Sequence, residues 1–171
     1  NQLDPGEECD DGNREDADGC RNTCVNATCG DGALRIDLNQ GEEGYEACDD
    51  GNQTDTDACR NNCLYASCGD GVRRVDLAEG ALGYEACDDG NQSNTDACRT
   101  NCVVAACGDG LRRVDLEPGD PDYEACDDGN QVQDDGCNNL CRVGTCGNGQ
   151  VDQNEACDDG NNNDEDGCRN A

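Results

Sequence analysis

Five short runs of this chain concentrate acidic and amide oxygens between two cysteines set eleven residues apart. The first run places Glu7, Asp10, Asp11, Asn13, Asp16 and Asp18 around Cys9 and Cys20, and the second places Glu46, Asp49, Asp50, Asn52, Asp55 and Asp57 around Cys48 and Cys59. In the same frame follow Glu85, Asp88, Asp89, Asn91, Asn94 and Asp96, then Glu124, Asp127, Asp128, Asn130, Gln133 and Asp135. The last run holds Glu155, Asp158, Asp159, Asn161, Asp164 and Asp166. Calcium takes six to eight oxygens from carboxylates, amide side chains, backbone carbonyls and water. Residues of these types at this density point to about one Ca2+ per loop.

The Glu, both Asp, the Asn and the final Asp recur in all five runs, while the position four before the second cysteine is Asp, Asn or Gln. All three carry a side-chain oxygen, which suits a weaker ligand. Four or five carboxylates on so short a loop repel one another, and a cation relieves that repulsion. The spacing is not that of the EF-hand. Asp31, Asp70 and Asp109, in CGDG turns, form a second acidic position read as turn-stabilising, since Asn148 replaces Asp in the last copy.

The elements that must hold these loops are repeats. Cys9, Cys48, Cys87 and Cys126 lie 39 residues apart, and Cys157 follows after 31. A fixed period of this size is the mark of a tandem array. The register gives complete repeats at 25–63, 64–102 and 103–141, a partial repeat at 1–24 and a shorter-spaced partial repeat at 142–171. The extra residues of the longer repeats, as in VRRVDLAEGALGYEAC, read as an extended hairpin with Val75 and Leu77 on one strand face and Arg74 and Asp76 on the other. Tyr45, Tyr84 and Tyr123 recur there as candidate apolar contacts between neighbouring repeats. No segment sustains a 3.6-residue apolar period. The expected fold is a small disulfide-rich tandem repeat: an extended array of loops, turns and short β-hairpins with negligible helix.

Leu, Ile, Val and Phe total 19 of 171 residues and the net charge is −30. So little apolar surface cannot offset the conformational entropy of ordering. Eighteen cysteines supply covalent staples instead, each worth roughly 2–4 kcal/mol. Such cysteine density belongs to an oxidising compartment, so the chain is expected outside the cell or on its surface. Four cysteines per repeat allow three pairings, and sequence does not choose among them. If bridges close within repeats, the terminal fragments each hold three cysteines and so one odd thiol. That parity is expected either in an excerpt of a longer array or in a chain that self-associates head to tail, a contact that propagates into filaments.

A surface this acidic repels nucleic acid and anionic membranes, and no apolar run is long enough for membrane insertion. With no His, no Lys and only Ser67 and Ser93, no nucleophile and base assemble into a catalytic constellation. An enzyme is not expected. The C-x3-C and C-x4-C spacings and the lack of His argue against zinc. Asn26, Asn52 and Asn91 lie in N-x-S/T sequons. Asn26 is the favoured glycan acceptor, because the other two occupy the proposed ligand position.

The run CGNGQVDQNEACDDGNNNDEDGC closely resembles the Myxococcus-type cysteine-rich repeat, a domain-of-unknown-function family of secreted and surface proteins. The chain departs from that pattern in its eight-residue insertions and in DAC for DGC at Cys59 and Cys98. The resemblance implies an extracellular module with a structural or adhesive role. The expected function is an extracellular structural repeat protein, a subunit of a filament, stalk or surface layer. The alternative is an adhesin or receptor ectodomain that presents the insertions to a partner.

Overall fold

The computed structural model describes all residues except 1, 2, 134, 146, 148, 150, 152–154, 164, 166, 167 and 169–171. The chain divides into two compact units, Asn1–Gly90 and Asn91–Ala171. Among the described residues there is no helix and no β-ladder. Turns and bends predominate, with isolated antiparallel bridges at Cys20–Asn26, Cys59–Tyr65, Cys98–Val104 and Cys137–Val143.

Each bridge closes a minimal hairpin. Arg60 N–H donates to Leu64 O (3.0 Å) and Cys63 N–H to Arg60 O (2.8 Å), which leaves Cys63 at φ 55°. A turn followed by a left-handed residue is the usual three-residue hairpin loop, and glycine normally fills that place. Here Cys24, Cys63, Cys102 and Cys141 all take it, at φ between 52° and 57°. A non-glycine residue held there costs on the order of 1 kcal/mol and persists only where its surroundings fix it. The disulfides Cys29–Cys63 and Cys107–Cys141 fix two of these positions. The carbonyl of Cys63 also accepts the Ala47 and Cys48 N–H groups at 2.8 and 3.3 Å.

The bridges close within repeats on a regular pattern. An eleven-residue loop joins Cys9–Cys20, Cys48–Cys59, Cys126–Cys137 and Cys157–Cys168, and a 34-residue loop joins Cys29–Cys63 and Cys107–Cys141. Cys68, Cys87, Cys98 and Cys102 are also disulfide-bonded, and Cys24 is a free thiol. Cys146, the odd cysteine expected in the last fragment, lies outside the described residues. The core is cysteine. Every buried apolar residue described is a Cys, and Cys63, Cys102 and Cys141 are the most deeply buried. Val75 and Ile36 stay 60% and 75% exposed.

The expected hairpin in the insertion is replaced by two consecutive turns. Ala81 N–H donates to Ala78 O (3.1 Å) and Tyr84 N–H to Ala81 O (3.0 Å). A single bond, Val75 N–H to Thr56 O at 2.9 Å, pins the first limb to the preceding acidic loop. Arg74 and Asp76 do share a side, the guanidinium donating to the carboxylate at 2.7 and 3.0 Å, as residues two apart on an extended limb can. What is missing is a paired strand, for the described residues form no ladder there. Tyr45, Tyr84 and Tyr123 are half-buried, and Tyr45 lines a small cleft of its own repeat with Ala27, Thr28, Asn62 and Cys63.

Candidate metal site

The first Asp of the later four CDDGN runs joins two loops. Asp49 accepts N–H groups from Gly30 (2.7 Å), Asp31 (3.2 Å) and Gly32 (2.8 Å) of the CGDG turn, and from Gly51 (2.8 Å) of its own loop. Asp88 and Asp127 repeat this on their CGDG turns. Asp158 receives Gly147, Gly149 and Gly160, and Asp10 receives Gly12. The loops approach so closely that a Cβ on Gly30, at φ 81°, would collide with Asn52 O and Gln53 Nε2. Burial pushes the Asp49 and Asp88 carboxyls up, and the converging backbone N–H groups outweigh it, so both lie below the ordinary value.

The Glu two residues before the cysteine has a different task. Glu46, Glu85 and Glu124 are 6%, 4% and 3% exposed. Each accepts the backbone N–H of an insertion arginine, namely Arg35 (2.9 Å), Arg74 (2.7 Å) and Arg113 (2.7 Å). Desolvation raises the Glu46 pKa. Glu155, whose repeat lacks the insertion, is only half-buried, as is Glu7.

The remaining oxygens form a distal group. Asp11, Asp50 and Asp128 accept the N–H of Asn13, Asn52 and Asn130 at 3.1, 3.2 and 3.3 Å. Asn13, Asn52, Asn91 and Asn130 donate Nδ2 to Asp18, Asp57, Asp96 and Asp135 at 2.8–3.1 Å. Their own Oδ1 atoms take the N–H two residues on, as does Asn161. The persistent Asn therefore works as a donor that offsets the last Asp. Asn13, Asn52 and Asn130 thus each hold two carboxylates, one on the backbone N–H and one on the side-chain amide. The Asn13 amide, first among several contacts, holds Asp18 below the usual carboxylate range. Asp89 and Asp159 hold the same place in sequence as Asp11, whereas Asp164 and Asp166 lie outside the described residues.

The variable position is also explained. Asp16, Asp55, Asn94 and Gln133 each use a side-chain oxygen to accept the N–H six residues later, from Asn22, Asn61, Thr100 and Asn139. Asp, Asn and Gln all supply that oxygen. Asp31, Asp70 and Asp109 brace their own turns, accepting N–H from Thr28 and Ala33, Ser67 and Val72, and Ala106 and Leu111.

One frame in sequence thus becomes three groups in space: Glu46 with Asp49, Asp50 with Asn52 and Asp57, and Asp55 apart. Glu46, Asp49 and Cys63 bring ligand atoms within 4.8 Å of one another, as do Glu124, Asp127 and Cys141. The sulfurs are committed to disulfides, so each cluster offers two carboxylates. Sequence reasoning passed over Arg21, Arg60 and Arg99, which pair with Asp31, Asp70 and Asp109. The signal was a shared position directly after the third cysteine.

Residues 99–142 and 143–170 match the model of a domain of unknown function, DUF4215. The two matches stand in tandem, and they take in the CGDG turn at 107–110, the CGNG run at 146–149 and the last two CDDGN runs. No curated protein and no solved structure matches the chain. The DUF4215 stretches together with the bonded cysteines make this a small disulfide-rich tandem repeat. Its many disulfides are consistent with an extracellular or secreted protein, and among the described residues no helix is long and apolar enough to cross a membrane.

Proposed function

We propose that the chain is an extracellular structural repeat module, a subunit of a filament, stalk or surface layer, in which the acidic loops bind calcium. The observation that carries the calcium reading is that one asparagine gathers two carboxylates: Asn13 holds Asp11 and Asp18, Asn52 holds Asp50 and Asp57, and Asn130 holds Asp128 and Asp135. Two like charges gathered on one residue favour uptake of a cation between them, and an all-oxygen set selects a hard one. The ligand core is then the second Asp of CDDG with the Asp before the closing cysteine, as in Asp50 with Asp57. The first Asp and the Glu act as scaffold.

The structural role rests on repetition. Five loops share one register, whereas catalysis needs one site. Self-association runs head to tail, and the resemblance to the Myxococcus-type repeat points to the same surface setting. Asn26 is the glycan acceptor: it is exposed and gives only its backbone N–H, to Glu8 at 3.3 Å, while the Nδ2 atoms of Asn52 and Asn91 are engaged.

Metal analysis of the dialysed chain, with an Asp57→Asn variant, tests the calcium reading. About five ions per chain are expected, falling by one in the variant, with affinities in the range of extracellular sites, roughly 10⁻⁴–10⁻³ M. A metal-free chain in millimolar calcium would overturn it. Light scattering and non-reducing electrophoresis test the filament reading: chain-length multimers support it, and a monodisperse monomer that captures a foreign ligand favours the adhesin.

A further inference from the structure

Arg21, Arg60 and Arg99 hold the same place in three successive repeats, and each reaches into the CGDG turn of the next. Arg21 Nη1 donates to Asp31 O at 2.8 Å and lies 3.3 Å from its carboxylate. Arg60 repeats this on Asp70 at 3.1 and 3.3 Å, and Arg99 pairs with Asp109. Backwards, Arg21 lies 3.9 Å from Asp16 and Arg60 lies 3.6 Å from Asp55. The side chains of Asp31, Asp70 and Asp109 are only 13%, 15% and 19% exposed. Pairs at this depth are stronger than fully solvated ones, yet still respond to salt.

At the fourth joint the chain changes both members of the pair together. Asn138 and Asn148 stand where the second joint has Arg60 and Asp70, and the place of Asp55, already Asn94 at the third joint, is Gln133. Asn138 is 8% exposed, and its Oδ1 accepts the Leu140 and Arg142 N–H groups, both at 3.0 Å. It folds back on its own turn. The backbone there is unchanged: Asn138 N–H donates to Arg142 O at 3.0 Å, as Arg60 does to Leu64 O. An arginine without its aspartates would be a shielded charge without a counterion, and the aspartates without arginine would repel. Exchanging the set for neutral residues avoids both penalties.

We infer that Arg21, Arg60 and Arg99 are ionic couplers between successive repeats, and that the joint after Cys141 is neutral and lacks this coupling. The couplers make the earlier joints salt-sensitive. The last joint does not share that response.

Amide hydrogen exchange on the full oxidised chain, read by NMR at about 0.05 M and about 0.5 M NaCl, tests this. Salt also relieves the self-repulsion of a chain of charge −30, so the readout is the difference between joints. Gly32, Ala33, Gly71 and Val72 are expected to exchange about threefold faster relative to Gly147 and Gly149 at high salt. An Arg60→Met variant speeds Gly69 to Val72 by about tenfold and leaves Gly30 and Gly32 unmoved. Arg73→Met removes the same charge from an exposed side chain with no ion pair, and moves neither set. Equal salt response at all joints, or equal effects of the two variants, would overturn the inference. If Arg60→Met fails to fold, the salt comparison on the unaltered chain decides.

Discussion

Asp49 takes four backbone N–H groups with two oxygens, and that single side chain fastens the CGDG turn to the CDDGN loop. Replacing it by alanine leaves the Gly30, Gly32 and Gly51 N–H groups without their acceptor, while Asp31 N–H keeps Thr28 O. Asp49→Ala is expected to cost about 3 kcal/mol, read by denaturant unfolding, since stranding partly buried donors costs about 1–3 kcal/mol apiece and some regain water. Asn52 offers a sharper contrast. As a calcium ligand alone it would tolerate Asp, but here its amide donates to Asp57 at 3.0 Å. Asn52→Asp brings a third carboxylate into the distal group and is expected to destabilise the chelated protein by about 1 kcal/mol, with the loss reduced in calcium. Equal melting of variant and parent in chelator would show that the donor role is unimportant. The acidic loops were legible in sequence as oxygen-rich sites. The division of labour among their carboxylates was not, because it depends on which backbone N–H groups the turns deliver.

At the scale of the repeat, the two bridge classes do unequal work. The Cys29–Cys63 bridge closes 34 residues and the Cys48–Cys59 bridge eleven. Chain-entropy reasoning assigns them about 4 and about 3 kcal/mol. Paired Cys→Ser replacements measured by unfolding are expected to follow that order, and the reverse order would place the stabilisation in native packing instead. The insertions carry their own titration. Asp37, Asp76 and Asp115 are held below 3.8 by hydrogen bonds from Arg35, Arg74 and Arg113. Because the folded value is depressed, the stabilisation is present above the unfolded value and is lost as pH falls through the folded one. The insertions are therefore expected to loosen only below about pH 4, seen as loss of the Arg–Asp contacts by NMR. Loosening that begins near pH 6 would implicate other groups. The period and cysteine frame were plain from the sequence, yet the pairing was not, because three connectivities share one spacing. The insertion misled because Val75 and Leu77 alternate with charged residues as a strand would. Val75 bonds to Thr56 instead of to a returning strand, and the turns closed by Ala81 and Tyr84 N–H groups take up the rest.

For the molecule as a whole, the buried apolar residues described are all cysteines, and 19 branched aliphatic or Phe residues in 171 leave little else to bury. The repeat fold therefore stands on sulfur crosslinks and on carboxylates that gather backbone N–H groups, with calcium proposed to quiet the remaining repulsion. Composition alone had made this balance readable: an aliphatic-poor, cysteine-rich chain has no other route to order. The most direct test is a set of thermal melts of the same chain, oxidised and reduced, each in calcium and in EDTA. The account predicts a cooperative transition only in the oxidised forms, about 5–10 °C higher with calcium by the order of magnitude that several bound ions supply through mass action, about 2–3 kcal/mol. A reduced chain that still melts cooperatively, or an oxidised chain whose transition ignores EDTA, would contradict it.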